Sequence, residues 1–175
     1  MPREFAIWLV DDAPSNIRMM DRSFPSDVRE AAEIRAFLDE DEFLAEFEAR
    51  AALLSEADAE PETAPAAAPD AALSVALATA PALPDFILLD FYLKRLLGAQ
   101  VLTRILRVCT MAGLAPPVVI AHSSSSEGNR QMLRLGADFA LPKKRGRDSS
   151  PEIAACFRSI EALRWMKENR APMPA

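Results

Sequence analysis

Five short runs of mostly apolar residues constrain this chain more than anything else in it. They are Phe5–Val10 (FAIWLV), Ile34–Leu38, Phe86–Leu89 (FILL), Val118–Ala121 (VVIA) and Phe139–Leu141. Each is too short for a core helix, and most lack the polar alternation of a half-exposed strand, so they fit strands buried on both faces. Helical spacing fills the intervals. Ile17, Met20 and Phe24 follow Pro14; Phe43, Phe47 and Leu54 share one face of Asp41–Leu54. Leu102, Ile105, Leu106 and Cys109 line a helix over Ala99–Met111 that ends near Gly113, and Glu127–Leu135 stops at Gly136. Ser150-Pro151-Glu152 reads as a helix start, with one helix behind it burying Ile153, Phe157, Ile160 and Leu163. Five βα units of this kind predict an α/β fold with a doubly wound, five-stranded parallel sheet. Such a sheet places its ligands outside the carboxyl ends of its strands.

What stands at those ends therefore decides the chemistry. The first strand runs into Asp11-Asp12, the third into Asp90, the fourth into His122-Ser123-Ser124 and the fifth into Pro142-Lys143-Lys144. Three carboxylates brought to one edge repel one another unless a cation intervenes, and hard oxygen donors favour Mg²⁺ over zinc. A lysine and a hydroxyl opposite them suit an incoming phosphoryl group. A carboxylate can itself be the nucleophile, giving an aspartyl phosphate. The single histidine, His122, directly follows an apolar run and reads as a strand-end residue rather than a phosphotransfer histidine.

The four segments IWLVDDAPSNIR, DFILLDFYLKRLLGAQVL, VVIAHSSSS and LGADFALPKK, in this order, resemble the response-regulator receiver domain of the CheY-like superfamily. The resemblance spans the chain apart from an insertion and the last residues. It implies the strand order 2-1-3-4-5. It also implies Asp90 as phosphoacceptor, with Gly98 at the usual distance behind it, and Asp11 and Asp12 as the acidic pair for Mg²⁺. Asp12 would be the direct ligand, and Tyr92 would lend its backbone carbonyl. Lys143, seven residues after Gly136, matches the family's lysine. The hydroxyl falls to Ser123 or, second, Ser124, because the stretch from Ser123 to Gly136 is about two residues short.

Several positions depart from that pattern. Lys144 stands where proline usually follows the lysine, and Ala140 replaces the aromatic switch residue, with Phe139 displaced beside it. Lys94-Arg95-Leu96-Leu97 replaces the usual Pro or Gly loop. Tyr92 is bulkier than its counterparts and would shield an acyl phosphate from water.

Composition agrees with this reading. Acids outnumber bases 26 to 20 and the net charge is −6, against a general nucleic-acid binder. No apolar run reaches membrane-spanning length, and two cysteines 47 positions apart argue against a disulfide scaffold, so a cytoplasmic location is expected. Ala51–Pro84 breaks the pattern, with 14 alanines and five prolines in 34 residues. It reads as an insertion at about 55–84 within one domain over 1–170, mobile around Glu60–Pro69, with Asp70–Ala80 either helix or strand. Residues 171–175 form a short tail, with no output module behind the domain.

The expected function is a stand-alone receiver in two-component or phosphorelay signalling. It would take a phosphoryl group from a histidine kinase or phosphotransfer protein and act by changing its protein contacts, not as a metabolic enzyme. The basic run Lys143-Lys144-Arg145-Gly146-Arg147 is a solvated loop or a contact for an acidic partner. The alternative is a pseudo-receiver serving constitutive protein binding. An aspartate-nucleophile phosphatase of the haloacid-dehalogenase type is disfavoured, since Tyr92 occupies the place of its second aspartate.

Overall fold

The twelve elements run β1 (Phe5–Val10), α1 (Pro14–Ser23), α2 (Ser26–Ala31), β2 (Ala32–Phe37), α3 (Glu40–Asp58), β3 (Phe86–Leu89), α4 (Gly98–Ala112), β4 (Val118–Ser123), α5 (Ser126–Arg134), β5 (Phe139–Pro142), α6 (Ser150–Cys156) and α7 (Ile160–Glu168). They come from a computed structural model that describes residues 3–58, 82–144 and 150–170. All strands pair in parallel in the order β2-β1-β3-β4-β5. The near-continuous apolar runs are explained by two cores, one on each face of the sheet.

On one face Trp8, Val10, Ile87, Leu89, Val119 and Ala121 pack against Phe43 and Phe47 of α3, Val101, Leu102 and Ile105 of α4, and Met132 of α5. Trp8 anchors this side, 4.9 Å from the Phe37 ring and 5.8 Å from that of Phe43. Each such aromatic pair adds about 0.5–1.5 kcal/mol beyond its buried area. On the other face Ile7, Leu9, Phe86, Leu88, Val118 and Ile120 meet Met20, Val28, Ile153 and Leu163 from α1, α2, α6 and α7, with Phe24 and Phe157 just past the ends of α1 and α6. Period-two alternation thus sends each strand's side chains into opposite cores.

Four expectations need correction. The C-terminal helix is two helices, α6 and α7, because Ser159 takes extended backbone and its hydroxyl accepts from the Ala162 N–H as an N-cap. Ile160 is consequently only half-buried. A short helix, α2, precedes β2 and buries Val28 alone. In α3, Ala51 takes the fully inward place after Phe47, and Leu54 is half-buried. Strand β4 runs on through His122 to Ser123.

Helix α3 extends to Asp58, into the start of the expected insertion. The expectations for 60–69 and 70–80, for Arg145-Gly146-Arg147 of the basic run, and for the tail fall outside the described residues. No described helix is long and apolar enough to cross a membrane.

The order 2-1-3 is what positions a site. The chain leaves β1 toward β2 on one side and later returns to place β3 on the other. The crossovers therefore diverge above the carboxyl ends of β1 and β3 and open a crevice there.

Candidate functional site

A cleft of about 410 Å³ occupies that crevice, lined by Asp12, Asn16, Met19, Asp90, Tyr92, Leu93, Ser124, Lys143 and Lys144. Asp11, fully buried, pairs with Lys143 of its wall. Asp11 is held from three sides. Oδ1 accepts from the Ala13 N–H at 2.9 Å, the Asn16 amide donates to Oδ1 at 3.0 Å and Oδ2 at 3.1 Å, and Lys143 Nζ lies 2.6 Å from Oδ2. Pro14 opens α1, which puts Asn16 in the first turn, over the end of β1. Asp12 does not cap α1; its N-cap is Ala13, with no side-chain cap bond.

Asp90 is 7 % exposed, its Oδ1 accepting from the Phe91 N–H at 2.7 Å and its Oδ2 lying 2.8 Å from Lys143 Nζ. Burial pushes its pKa above the ordinary carboxylate value; the charge of Lys143, which opposes this, does not fully cancel it. Lys143 reaches both aspartates because β5 ends beside β4, where its own N–H donates to the Ser123 carbonyl at 2.9 Å. Its side chain is 12 % exposed, so this is a buried cation between two carboxylates rather than a solvated charge.

Carboxylate oxygens of Asp11, Asp12 and Asp90 lie within 4.8 Å of one another. At that spacing each pair of unit charges repels by about 3 kcal/mol even with an effective dielectric of 20. Three carboxylates against the one Lys143 ammonium leave two negative charges unbalanced. The oxygen-only donor set, open to water through the cleft, fits a hard divalent cation of the Mg²⁺ or Mn²⁺ kind and not zinc. Asp11 spends both oxygens on Asn16, Lys143 and the backbone. Asp90 likewise has both oxygens engaged, by Phe91 and Lys143, so Asp12, with no hydrogen-bond partner among the described residues, is the most available ligand of the three.

The loop after Asp90 is fixed by close packing. Gly98 N–H donates to the Phe91 carbonyl at 2.7 Å, and a Cβ at Gly98 would stand 2.1 Å from the Asp90 carbonyl oxygen. Only glycine lets α4 start there. Tyr92 pairs with Leu97 across this loop; its ring is half exposed and meets the Phe91 ring edge-on at 5.0 Å. Phe91 in turn lies over Gly128 in the first turn of α5, where a Cβ would be 2.7 Å from its ring.

Two residues that the sequence did not single out belong to this framework. Asn16 orients Asp11, as above. Glu40 is 1 % exposed at the start of α3 and accepts from the Arg95 and Leu96 N–H groups of the Asp90 loop. Burial alone would raise its pKa, but these two bonds and its own N–H hold it below the ordinary carboxylate value. With ion pairs from Arg95 to Asp41 and Lys94 to Asp39, the loop that replaces the usual Pro or Gly is clamped to α3.

The hydroxyl side is less direct. Ser123 is buried and its Oγ accepts from the Ser125 N–H at 3.1 Å, while Asn129 bonds both its N–H and its carbonyl. The shortened loop thus folds Ser123 into the turn that starts α5. Ser124 is exposed and lines the cleft. His122 is buried in β4 with Nδ1 3.0 Å from the Leu141 carbonyl, and Nε2 finds no partner among the described residues. Burial drives its pKa down to about 4, so the ring is neutral. Ala140 packs at the edge of the core beneath α5.

The fold built on five parallel strands in the order 2-1-3-4-5 is shared by solved structures. The receiver domain of the histidine kinase CKI1 from Arabidopsis thaliana superposes with a TM-score of 0.61 at 18 % identity, covering 91 % of each chain. The phosphorylated cyanobacterial phytochrome response regulator RcpA gives 0.56 at 20 % identity, over 98 % of this chain and 99 % of that one. The fold is that of a response-regulator receiver domain. The CKI1 receiver complexed with Mg²⁺ and BeF₃⁻ shares this fold too, with a TM-score of 0.55 at 17 % identity, over 87 % of this chain and 91 % of that one. No family model matches the chain, and no curated protein matches it in sequence.

Proposed function

We propose that this chain is a phosphoacceptor receiver in two-component or phosphorelay signalling, with Asp90 as the acceptor. The observation that carries the reading is Lys143 Nζ bridging Asp11 at 2.6 Å and Asp90 at 2.8 Å over the β1/β3 switch point. An Asp90 carboxylate oxygen attacks the phosphorus of a phosphohistidine on a histidine kinase or phosphotransfer protein, or of a small acyl phosphate. The donor's P–N or P–O bond breaks, its electron pair leaves with the donor, and the phosphoryl group ends as a mixed anhydride on Asp90.

The chain's residues divide this work. Burial makes the Asp90 carboxylate more basic, hence a better nucleophile. The Lys143 ammonium moves from the carboxylate it pairs with to the phosphoryl oxygen that replaces it. Ser124 at the cleft wall, or Ser123 if the turn opens, donates a hydroxyl hydrogen bond. Asn16 and Ala13 keep Asp11 from rotating away from Lys143. Mg²⁺ held by the Asp12 and Asp90 carboxylates and the Tyr92 carbonyl would supply neutralisation of the remaining phosphoryl charge.

The test is intact-protein mass after incubation with a small acyl phosphate and Mg²⁺. One phosphoryl group is expected on the parent and none on Asp90→Asn. Equal uptake by both, or none by either, contradicts the reading; the second result points to a pseudo-receiver.

A further inference from the structure

The cleft has a second ammonium that the chemistry above does not use. Lys144 lines the same cleft as Asp12, Asp90, Ser124 and Lys143. Its Nζ pairs with Glu152 in the first turn of α6. The two lysines differ in freedom, since the Lys143 side chain is 12 % exposed between two aspartates and that of Lys144 is 48 % exposed. Phosphorylation converts the Asp90 monoanion into a near-dianion, so that Asp11, Asp12 and the phosphoryl group carry about four negative charges against three positive ones from Lys143 and Mg²⁺. Lys144, half exposed at the rim of the cleft and ion-paired with the 23 % exposed Glu152 side chain, is the next ammonium that can respond.

Helix α6 is also where a displacement would be felt. Cys156 Sγ at its end lies 3.8 Å from Met166 Sδ of α7. The groove between these helices is walled by Phe139, Cys156, Trp165 and Met166, with the Trp165 and Phe139 rings 6.4 Å apart. Trp165 is half exposed there. Ala140, by contrast, has no ring to carry motion along β5.

We propose that Lys144 is a second phosphoryl-binding cation, and that on phosphorylation of Asp90 its ammonium exchanges Glu152 for phosphoryl oxygens and so releases α6 against α7. This rests on the receiver reading. It makes the Lys144–Glu152 pair the switch between the cleft and the Phe139–Trp165 groove.

The test is ¹⁹F NMR on the full chain labelled with 5-fluorotryptophan, with Mg²⁺ and beryllofluoride added as the phosphoryl mimic. The chain has two tryptophans, so two resonances appear, assigned with Trp165→Phe. Bound-fluoride signals report occupancy in the same spectrum. In the parent, occupancy is expected to shift the Trp165 resonance. Lys144→Gln should still bind, about two- to fivefold more weakly as befits a half-exposed ion pair, and leave Trp165 unmoved. Lys144→Arg should restore the shift, and Glu152→Gln should show it before the mimic is added. A Trp165 shift in occupied Lys144→Gln equal to the parent's, or no shift in the occupied parent, overturns the proposal while leaving the receiver reading intact. No bound fluoride in the parent overturns the receiver reading and this proposal with it.

Discussion

The β1–β3 half of the cleft and the β4–β5 half are built on different terms. On the first, both buried aspartates are committed at short range: Asp11 to Asn16, Ala13 and Lys143, and Asp90 to Phe91 and Lys143. Gly98 and Glu40 lock the loop behind them. On the second, Ser123 is turned into the start of α5, Ala140 offers only a methyl, and Lys144 stands half exposed on the rim. The contrast teaches that the groups that would hold and receive a phosphoryl group are fixed by packing. The groups that would report it lack the hydroxyl–aromatic pair that the family resemblance implies. Lys143 belongs to both halves, since it leaves the end of β5 and ends on the β1–β3 aspartates.

Removing Lys143 breaks the comparison most strongly. Lys143→Ala is expected to slow phosphorylation of Asp90 by about 10²–10³, the range for loss of one preorganised charge-stabilising donor. It would be measured as the initial rate of phosphoryl uptake from an acyl phosphate. An unchanged rate would mean that the β4–β5 half contributes nothing to the chemistry.

His122 gives the next largest effect, on stability rather than chemistry. Its folded pKa of about 4 lies below the ordinary histidine value of 6.5, so the folded state refuses a proton that the unfolded chain takes. Stability is therefore full above pH 6.5 and falls as the pH drops from there toward 4, by up to about 3 kcal/mol. Urea midpoints across that range should show the slope in the parent and its loss in His122→Phe. The same slope in both would show that the β4–β5 half does not bury its histidine as described.

Tyr92 sharpens the contrast at the smallest scale. Its half-exposed ring lies at the mouth of the cleft, so Tyr92→Asn is expected to hasten loss of the phosphoryl group a few-fold, about 0.5–1 kcal/mol of barrier. Decay of the phosphorylated mass with time reads this directly. A decay no faster than the parent's removes shielding from the role of the ring.

How much of this was legible in the sequence follows from the range of the interactions. Strands and strand ends are local: FAIWLV before Asp11-Asp12 and FILL before Asp90 carry their own signal, and their pairing follows from the βα alternation. The break between α6 and α7 was hidden because Ile153, Phe157, Ile160 and Leu163 keep helical spacing straight through it. Ser159 as a cap was the available sign. Helix α2, six residues between Pro25 and β2, has one inward residue and so no periodicity to read. Glu40 looked like one acid in the run Asp39–Glu42, and nothing local says that it points inward to a loop 55 residues away. Asn16 was visible only as a polar residue one turn into α1. The Ser123/Ser124 choice stayed open in sequence because it depends on how a shortened turn folds.

The most direct test of the central claim is to locate the phosphoryl group. Acyl-phosphate-treated protein is reduced with borohydride, which converts an aspartyl phosphate to homoserine, and its peptides are sequenced by mass spectrometry. Homoserine at position 90, with Asp11 and Asp12 intact, is the expected result. A phosphorylated peptide carrying the group on Ser123 or Ser124, or homoserine at 11 or 12 in place of 90, would contradict the account.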